Sequence, residues 1–160
     1  MTNVATVHGT TVVLSVDGCD RAVMLTGAPG SGKSDLALRM IDRGAQLLAD
    51  DRTQIYCVGD GATPVLMARP PAALAGRLEV RGIGLVTLPW VGEAPLALMA
   101  ELVTANAVVR LPERRTTMLL GVAVPLVAVA PFEISAVLKL GLALQRHGLT
   151  LSGNGAGEPS

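Results

Sequence analysis

The sequence predicts an α/β protein, a mixed sheet with few helices, on three observations. Residues 27–34 read Gly27-Ala28-Pro29-Gly30-Ser31-Gly32-Lys33-Ser34, a complete G-x-x-x-x-G-K-[ST] motif between a buried-strand pattern and a helix pattern. The other apolar runs are short, Thr10–Val16 among them rich in β-branched residues, and they are divided by turn residues such as Asp17-Gly18 and Gly59-Asp60-Gly61. Strands and helices do not alternate regularly, so a purely parallel doubly wound sheet is not expected and antiparallel pairs should be frequent.

Taken in order, Thr10–Val16 is rich in β-branched residues and reads as a strand turning at Asp17-Gly18. Residues 22–26 (Ala-Val-Met-Leu-Thr) form the strand that feeds the motif. Residues 34–43 read as a helix, with Gly44 as its C-terminal cap. Gln46–Ala49 is a short apolar strand ending on Asp50-Asp51. Residues 55–58 and 65–68 flank the Gly59-Asp60-Gly61 turn as a hairpin. Residues 71–76 suggest a short helix, and 84–88 a strand. Over 97–103 a helix fits the pattern, while 107–111 leans towards strand. Strands are predicted over 117–120 and 124–130. Residues 132–147 place Ile134, Val137, Leu138, Leu142 and Leu144 at helical spacing, which suits a helix packed on a sheet. The Gly-, Ser- and Pro-rich residues 151–160 are expected to be a disordered tail after a single domain over 1–150.

Composition excludes several classes. The chain has 160 residues, enough for one core, and its formal charge is zero, so no basic field is available to hold nucleic acid. One Trp, one Tyr and one Phe do not make a base-stacking surface for a polynucleotide. The longest apolar stretch, 118–131, is cut by Gly121, Pro125 and Pro131 before it reaches membrane-spanning length. The first residues lack the basic start and apolar block of a signal peptide, and a cytoplasmic location is expected. Cys19 and Cys57 do not form a metal-ligand cluster and read as plain thiols.

The glycine-rich motif calls for phosphate because clustered anionic oxygens need many donors at close range. Glycines let the backbone turn its N–H groups inward, and the following helix directs its dipole at the anion. Lys33 supplies a point charge for the outer phosphates, and the Ser34 hydroxyl can complete a Mg²⁺ shell. Asp50 and Asp51, at the end of an apolar strand, can hold a metal or accept a proton from an attacking hydroxyl. On an extended strand two adjacent acids point to opposite faces and should not share one task. The same residues could form a solvated turn leading into Arg52; their position after the motif favours the functional reading.

Residues 78–84 read Leu-Glu-Val-Arg-Gly-Ile-Gly, and in extended backbone Glu79 and Arg81 would share a face. That pair could hold a metal and a phosphoryl group together, although from the stretch alone a surface ion pair before a glycine turn is the preferred reading. His8-Gly9 stands just before the first strand, where a lone His is more often structural than catalytic. Arg110, Arg114 and Arg115 flank Leu111-Pro112-Glu113 as a solvated loop that could meet an anionic partner.

His8-Gly9, the phosphate motif, Leu47-Leu48-Ala49-Asp50-Asp51 and Glu79-Val80-Arg81-Gly82-Ile83-Gly84, in this order, resemble HPr kinase/phosphorylase, a family of bacterial serine kinases acting on the phosphocarrier HPr of the sugar phosphotransferase system. The resemblance covers residues 8–87 well and the remainder loosely. It implies a catalytic domain with the fold shared with phosphoenolpyruvate carboxykinase, ATP and Mg²⁺ as cofactors, HPr as partner and a homo-oligomer, hexameric in the family. It also implies roles. Residues 27–34 bind the nucleotide phosphates, with Lys33 catalytic and Ser34 on Mg²⁺. Asp51 acts as general base towards the target serine and as general acid in phosphorolysis, supported by Asp50 and assisted by His8. Glu79 is a Mg²⁺ ligand in a signature stretch that includes Arg81, Gly82 and Gly84. Only seven residues precede His8, which resembles the short, catalytic-domain-only form of alphaproteobacteria. The family's basic Lys and Gly-Arg-Asn loop corresponds here to Ala130-Pro131-Phe132-Glu133, so no position takes the family's catalytic arginine and phosphorolysis is expected to be weak or absent.

Two other readings use the same motif. A small metabolite or nucleotide kinase would want an arginine-rich lid, for which 110–115 is poor, and would leave Asp50-Asp51 and 79–82 unexplained. A non-catalytic nucleotide-binding regulator need not keep Asp51 and Glu79, and the guanine-binding Asn-Lys-x-Asp of a GTPase switch is missing from the sequence.

Overall fold

The computed structural model describes residues 3–59 and 63–150. Among these, eleven strands, two α-helices and two short 3-10 turns follow one another. The strands are β1 (Val4–His8), β2 (Thr10–Val16), β3 (Cys19–Thr26), β4 (Gln46–Ala49), β5 (Arg52–Val58), β6 (Val65–Arg69), β7 (Arg77–Val80), β8 (Gly84–Thr87), β9 (Ala94–Leu102), β10 (Arg115–Leu119) and β11 (Val122–Val129). The helices are α1 (Lys33–Asp42) and α2 (Ala136–His147).

Nine strands make one large sheet in the order β1-β5-β6-β9-β3-β2-β4, with the β10–β11 hairpin joined through β11 to β9. The centre is parallel: β9 lies between β3 (Met24 opposite Met99) and β11 (Leu126 opposite Met99). The flanks are antiparallel. β9 shares one edge between two partners, β6 at its start (Ala68 opposite Ala94) and β11 at its end. The strand ends around β2 and β5 are tied together by side chains: the Thr11 and Thr53 hydroxyls are 2.8 Å apart, and Thr53 donates to the Gly9 carbonyl at 3.0 Å. A hydroxyl has one proton, so Thr11 is the donor to Thr53. Strands β7 and β8 form a separate two-stranded hairpin.

The sheet buries both faces. On one, Val12, Val23, Leu25, Ala97 and Leu102 pack against Leu36, Ala37 and Met40 of α1 and Ala136, Leu140 and Leu144 of α2. On the other, Val13, Ala22, Met24, Leu48, Ile55, Leu66 and Leu96 close a second cluster between strands. Each fully buried Leu or Met contributes about 1.5–3 kcal/mol of transfer free energy, so the strand carrying the phosphate motif is held from two sides.

Local signals explain most elements. The Asp17-Gly18 turn has φ +53° and +80°, the left-handed pair of a two-residue hairpin closing β2 onto β3. Gly44, at φ +110°, ends α1: its N–H reaches the Ile41 carbonyl and the Ala45 N–H the Met40 carbonyl, both at 3.0 Å. Of the Gly59-Asp60-Gly61 turn, Asp60 and Gly61 lie outside the described residues, as do 151–160.

Several expectations are corrected. The helix pattern at 97–103 belongs to strand β9, whose residues are buried on both faces and therefore lose the period-two signature. The strand leaning at 107–111 is replaced by a 3-10 turn at Ala105–Ala107 and irregular chain after it. The helix expected over 71–76 is a single 3-10 turn, Ala72–Leu74. Val4–His8 is itself a strand, so His8 ends β1 instead of preceding the first strand. Helix α2 starts at Ala136, later than expected, because 131–135 turn over the end of α1.

Candidate functional site

The glycine-rich stretch leaves β3 at its carboxyl end and enters α1. Gly30 (φ +81°) and Gly32 (φ +101°) take backbone conformations that side chains rarely adopt, and Gly32 caps α1 by accepting the Leu36 N–H at 2.9 Å. Lys33 Nζ donates to the carbonyls of Gly27 (2.8 Å) and Ala28 (3.1 Å), which holds the ammonium over the loop. The Ser31 Oγ is buried with no hydrogen-bond partner in the protein, a hydroxyl inside the loop left with bonding capacity for a ligand.

Asp50 is the hub of the site. Its Oδ1 accepts from Ser34 Oγ at 2.8 Å and from Thr10 Oγ1 at 3.0 Å, and its Oδ2 accepts from the Glu79 N–H at 3.0 Å. One carboxylate thus joins β2, the start of α1 and β7. Thr10 is fully buried and acts twice, because its Oγ1 also accepts the Asp51 N–H at 3.3 Å.

Asp51 diverges from Asp50, though not by strand pleating. Both residues lie in the bend between β4 and β5, and Asp51 has φ +68° with the Arg52 N–H donating to the Asp50 carbonyl at 2.7 Å. An i to i+2 bond around a positive-φ centre is a γ-turn, a strained conformation that costs roughly 1–3 kcal/mol and persists only where its surroundings enforce it. Here Gly9 enforces it, donating its N–H to the Asp51 carbonyl at 2.9 Å. The turn carries the Asp51 carboxylate into solvent at 70% side-chain exposure, 3.9 Å from Arg52 Nε.

Thr10, Gly30, Gly32, Lys33, Ser34, Asp50 and Asp51 line one cleft of about 670 Å³, together with Pro29, Leu38, Arg77, Arg81 and Phe132. Lys33, Ser34, Asp50, Asp51 and Glu79 are brought together there as the sequence suggested. Arg81 also lines the cleft, but not by sharing a strand face with Glu79: β7 ends at Val80, and Arg81, Gly82 and Ile83 form the turn into β8. Gly82 (φ +90°) and Gly84 (φ +119°) make that turn possible. His8 does not line the cleft; it is exposed on β1 opposite Arg52. Its neighbour Gly9 is fixed by packing, since a Cβ there would approach Met24 Sδ to 2.9 Å.

The oxygen donors suit a hard divalent cation. Among the described residues no group of three His, Cys, Asp or Glu side chains converges on one point. Mg²⁺ needs no such cage, because it keeps waters and phosphate oxygens and takes one or two carboxylates. Asp50 and Glu79 offer two carboxylates in the cleft, with Ser34 Oγ as a third oxygen beside Asp50.

Thr10, Arg77, Leu38 and Phe132 were not marked as site residues by the sequence. Thr10 differs in no way from its β-branched neighbours until the fold places it between two aspartates. Phe132 reaches the cleft only because 131–135 fold back over α1: Arg39 donates to the Pro131 carbonyl, and Arg39 is itself paired with Asp35 at 3.1 Å.

A family model described as the HPr serine kinase C-terminal domain matches residues 1–130. An HPr kinase/phosphorylase of Levilactobacillus brevis is 41% identical over 80 residues, 50% of this chain and 24% of that protein. One from Bordetella pertussis is 40% identical over 109 residues, 64% of this chain and 33% of the relative. The chain thus aligns with a quarter to a third of these curated relatives. The solved structure of the HPr(Ser) kinase/phosphatase from Coxiella burnetii superposes with a TM-score of 0.71 at 26% identity, covering 89% of this chain and 90% of that one.

Proposed function

From the premise that the chain belongs to the family of the HPr serine kinase C-terminal domain, we propose that it transfers a phosphoryl group from ATP to a serine of an HPr-type phosphocarrier protein. The observation that carries this reading is the Asp50 hub. It locks the phosphate loop, through Ser34, to the turn that presents Asp51 to solvent. A donor site and a proton acceptor are therefore held in one cleft, open enough for a protein hydroxyl to enter.

In this reading residues 27–34 bind the nucleotide phosphates through backbone N–H groups. Lys33 exchanges its carbonyl partners for phosphoryl oxygens, supplying positive charge where negative charge develops. Ser34, Asp50 and Glu79 hold Mg²⁺, which when bound neutralises phosphoryl charge and fixes the phosphate geometry. Asp51 accepts the proton of the serine hydroxyl as the serine oxygen bonds to the γ-phosphorus and the bond from that phosphorus to the bridging oxygen breaks, releasing ADP. Asp50 and Thr10 hold the turn that aims Asp51, and His8 lies one residue from it across the β1–β5 pair. Arg77 and Arg81 give the cleft the positive charge that an anionic substrate complex needs. No basic residue occupies 130–133, so we propose that phosphorolysis of the phosphoserine is weak or absent. A homo-oligomer acting in the cytoplasm accords with this reading; none of the described helices is long and apolar enough to cross a membrane.

The test is transfer of label from γ-labelled ATP with Mg²⁺ to HPr, followed by mapping of the modified residue. Label on an HPr serine is expected. Label on a small molecule with HPr untouched would replace this reading by that of a metabolite kinase.

A further inference from the structure

The phosphate loop has an aromatic neighbour that none of the roles above uses. Phe132 is 72% exposed, yet its ring edge rests on the loop: a Cβ on Gly32 would meet Phe132 Cζ at 2.9 Å. The ring is not there by default. Arg39 of α1 holds the Pro131 carbonyl, the Glu133 N–H bonds the Ala130 carbonyl at 3.3 Å, and Lys139 pairs with Glu133 at 2.7 Å. Three tethers fix the 130–133 turn and leave the one phenylalanine of the chain pointing into water beside a phosphate site. Leaving an aromatic ring wet forfeits much of the free energy that burial would give, so a rigidly presented ring is a platform awaiting a partner.

The partner's chemistry follows from the cleft's division. Its acidic residues Asp50, Asp51 and Glu79 are joined around one carboxylate hub, where the cation and the acceptor hydroxyl belong. Phe132 instead rests against the loop glycine Gly32, and Leu38 of α1 lines the same cleft. A nucleoside triphosphate with its outer phosphates at Lys33 and Ser34 must send its planar base out of the loop. We infer that Phe132 is the nucleobase platform of this site: the base of the bound nucleotide stacks on its exposed face. This rests on the phosphate-loop reading of residues 27–34 and adds the subsite for the other end of the ligand. Stacking needs only a π face, so it contributes affinity with little discrimination between bases.

The experiment is calorimetric titration of the full chain with two probes in Mg²⁺, ATP and inorganic tripolyphosphate, using wild type, Phe132→Ala and Phe132→Tyr. Phe132→Ala is expected to weaken ATP roughly tenfold, as loss of one stacked base does. It should leave tripolyphosphate within about twofold, and Phe132→Tyr should restore ATP. Equal weakening of both probes would overturn the inference, because the ring would then merely shape the loop through Gly32. Unchanged ATP affinity would also overturn it; if the KM for HPr rises at the same time, the ring belongs to the protein substrate. Binding of tripolyphosphate by every variant leaves the phosphate reading intact in both cases. Failure of wild type to bind either probe would overturn that reading and the platform with it.

Discussion

At the scale of single residues, the site is built on one carboxylate and one strained turn. Replacing Asp51 by Asn keeps the turn's size but removes the carboxylate we propose as the proton acceptor. HPr phosphorylation should fall by about 10²–10⁴ in kcat while ATP affinity stays within about twofold, read by steady-state kinetics and calorimetry. Thr10→Val keeps shape and burial but deletes a donor to Asp50 and the acceptor of the Asp51 N–H. It should cost about 1–3 kcal/mol in urea denaturation, and kcat should fall more than the ATP dissociation constant rises, since what is lost is the aim of Asp51. That the phosphate loop, Asp50-Asp51 and Glu79 meet in one cleft was legible, the first two from residue type and spacing and Glu79 from the family resemblance. Thr10 and Phe132 were not, because nothing in a threonine among β-branched residues, or in a phenylalanine before a helix, announces what the fold will place beside it. Gly9 was legible as part of a motif but not for its reason: its missing Cβ lets β1 and β2 meet over Met24 and frees an N–H for the Asp51 carbonyl.

At the scale of elements, hairpins and capped helices were legible and the central strand was not. Asp17-Gly18 and Gly44 carry backbone preferences that act locally, so β2, β3 and α1 fall where their sequences say. Strand β9 obeys a different constraint. It is covered by the helices on one face and by the second cluster on the other, so Leu98 and Ala100 on the first side and Leu96 and Met99 on the second are all apolar, and the alternation that marks a strand is erased. The hairpin β10–β11 was half hidden for a related reason, since Leu120 adopts φ +48° at a turn where Asn or Asp would have advertised it. Exposure separates the mutational outcomes. Leu98→Ala in β9 should destabilise by about 2–5 kcal/mol, and Ile134→Ser, at a side chain 99% exposed before α2, should stay within about 0.5 kcal/mol. Denaturant midpoints of the two variants check the contrast; equal losses would mean that the outer face of 134–142 is covered in solution.

At the scale of the whole molecule, the mixed sheet with few helices was legible from the mix of turns, but the strand order was not. No local signal says that β9 pairs with β3 across more than seventy residues; the Thr26 hydroxyl meets the Ala100 carbonyl at a separation of 74. The two halves of the candidate site have the same character, since Asp50 reaches back 40 residues to Thr10 and forward 29 to Glu79. That parallel pairing has a temporal consequence. The strand that delivers the phosphate loop finds β2 at once through its hairpin, but its other edge stays open until the chain has closed a long loop, and such closures are slow. A growing chain on the ribosome would therefore carry all eight loop residues long before it could grip a nucleotide. Refolding from urea, followed by the single Trp90 and by a fluorescent ATP analogue, should show nucleotide capture arriving with the slowest phase. Capture in the earliest phase would mean that the loop takes shape on the β2–β3 hairpin alone.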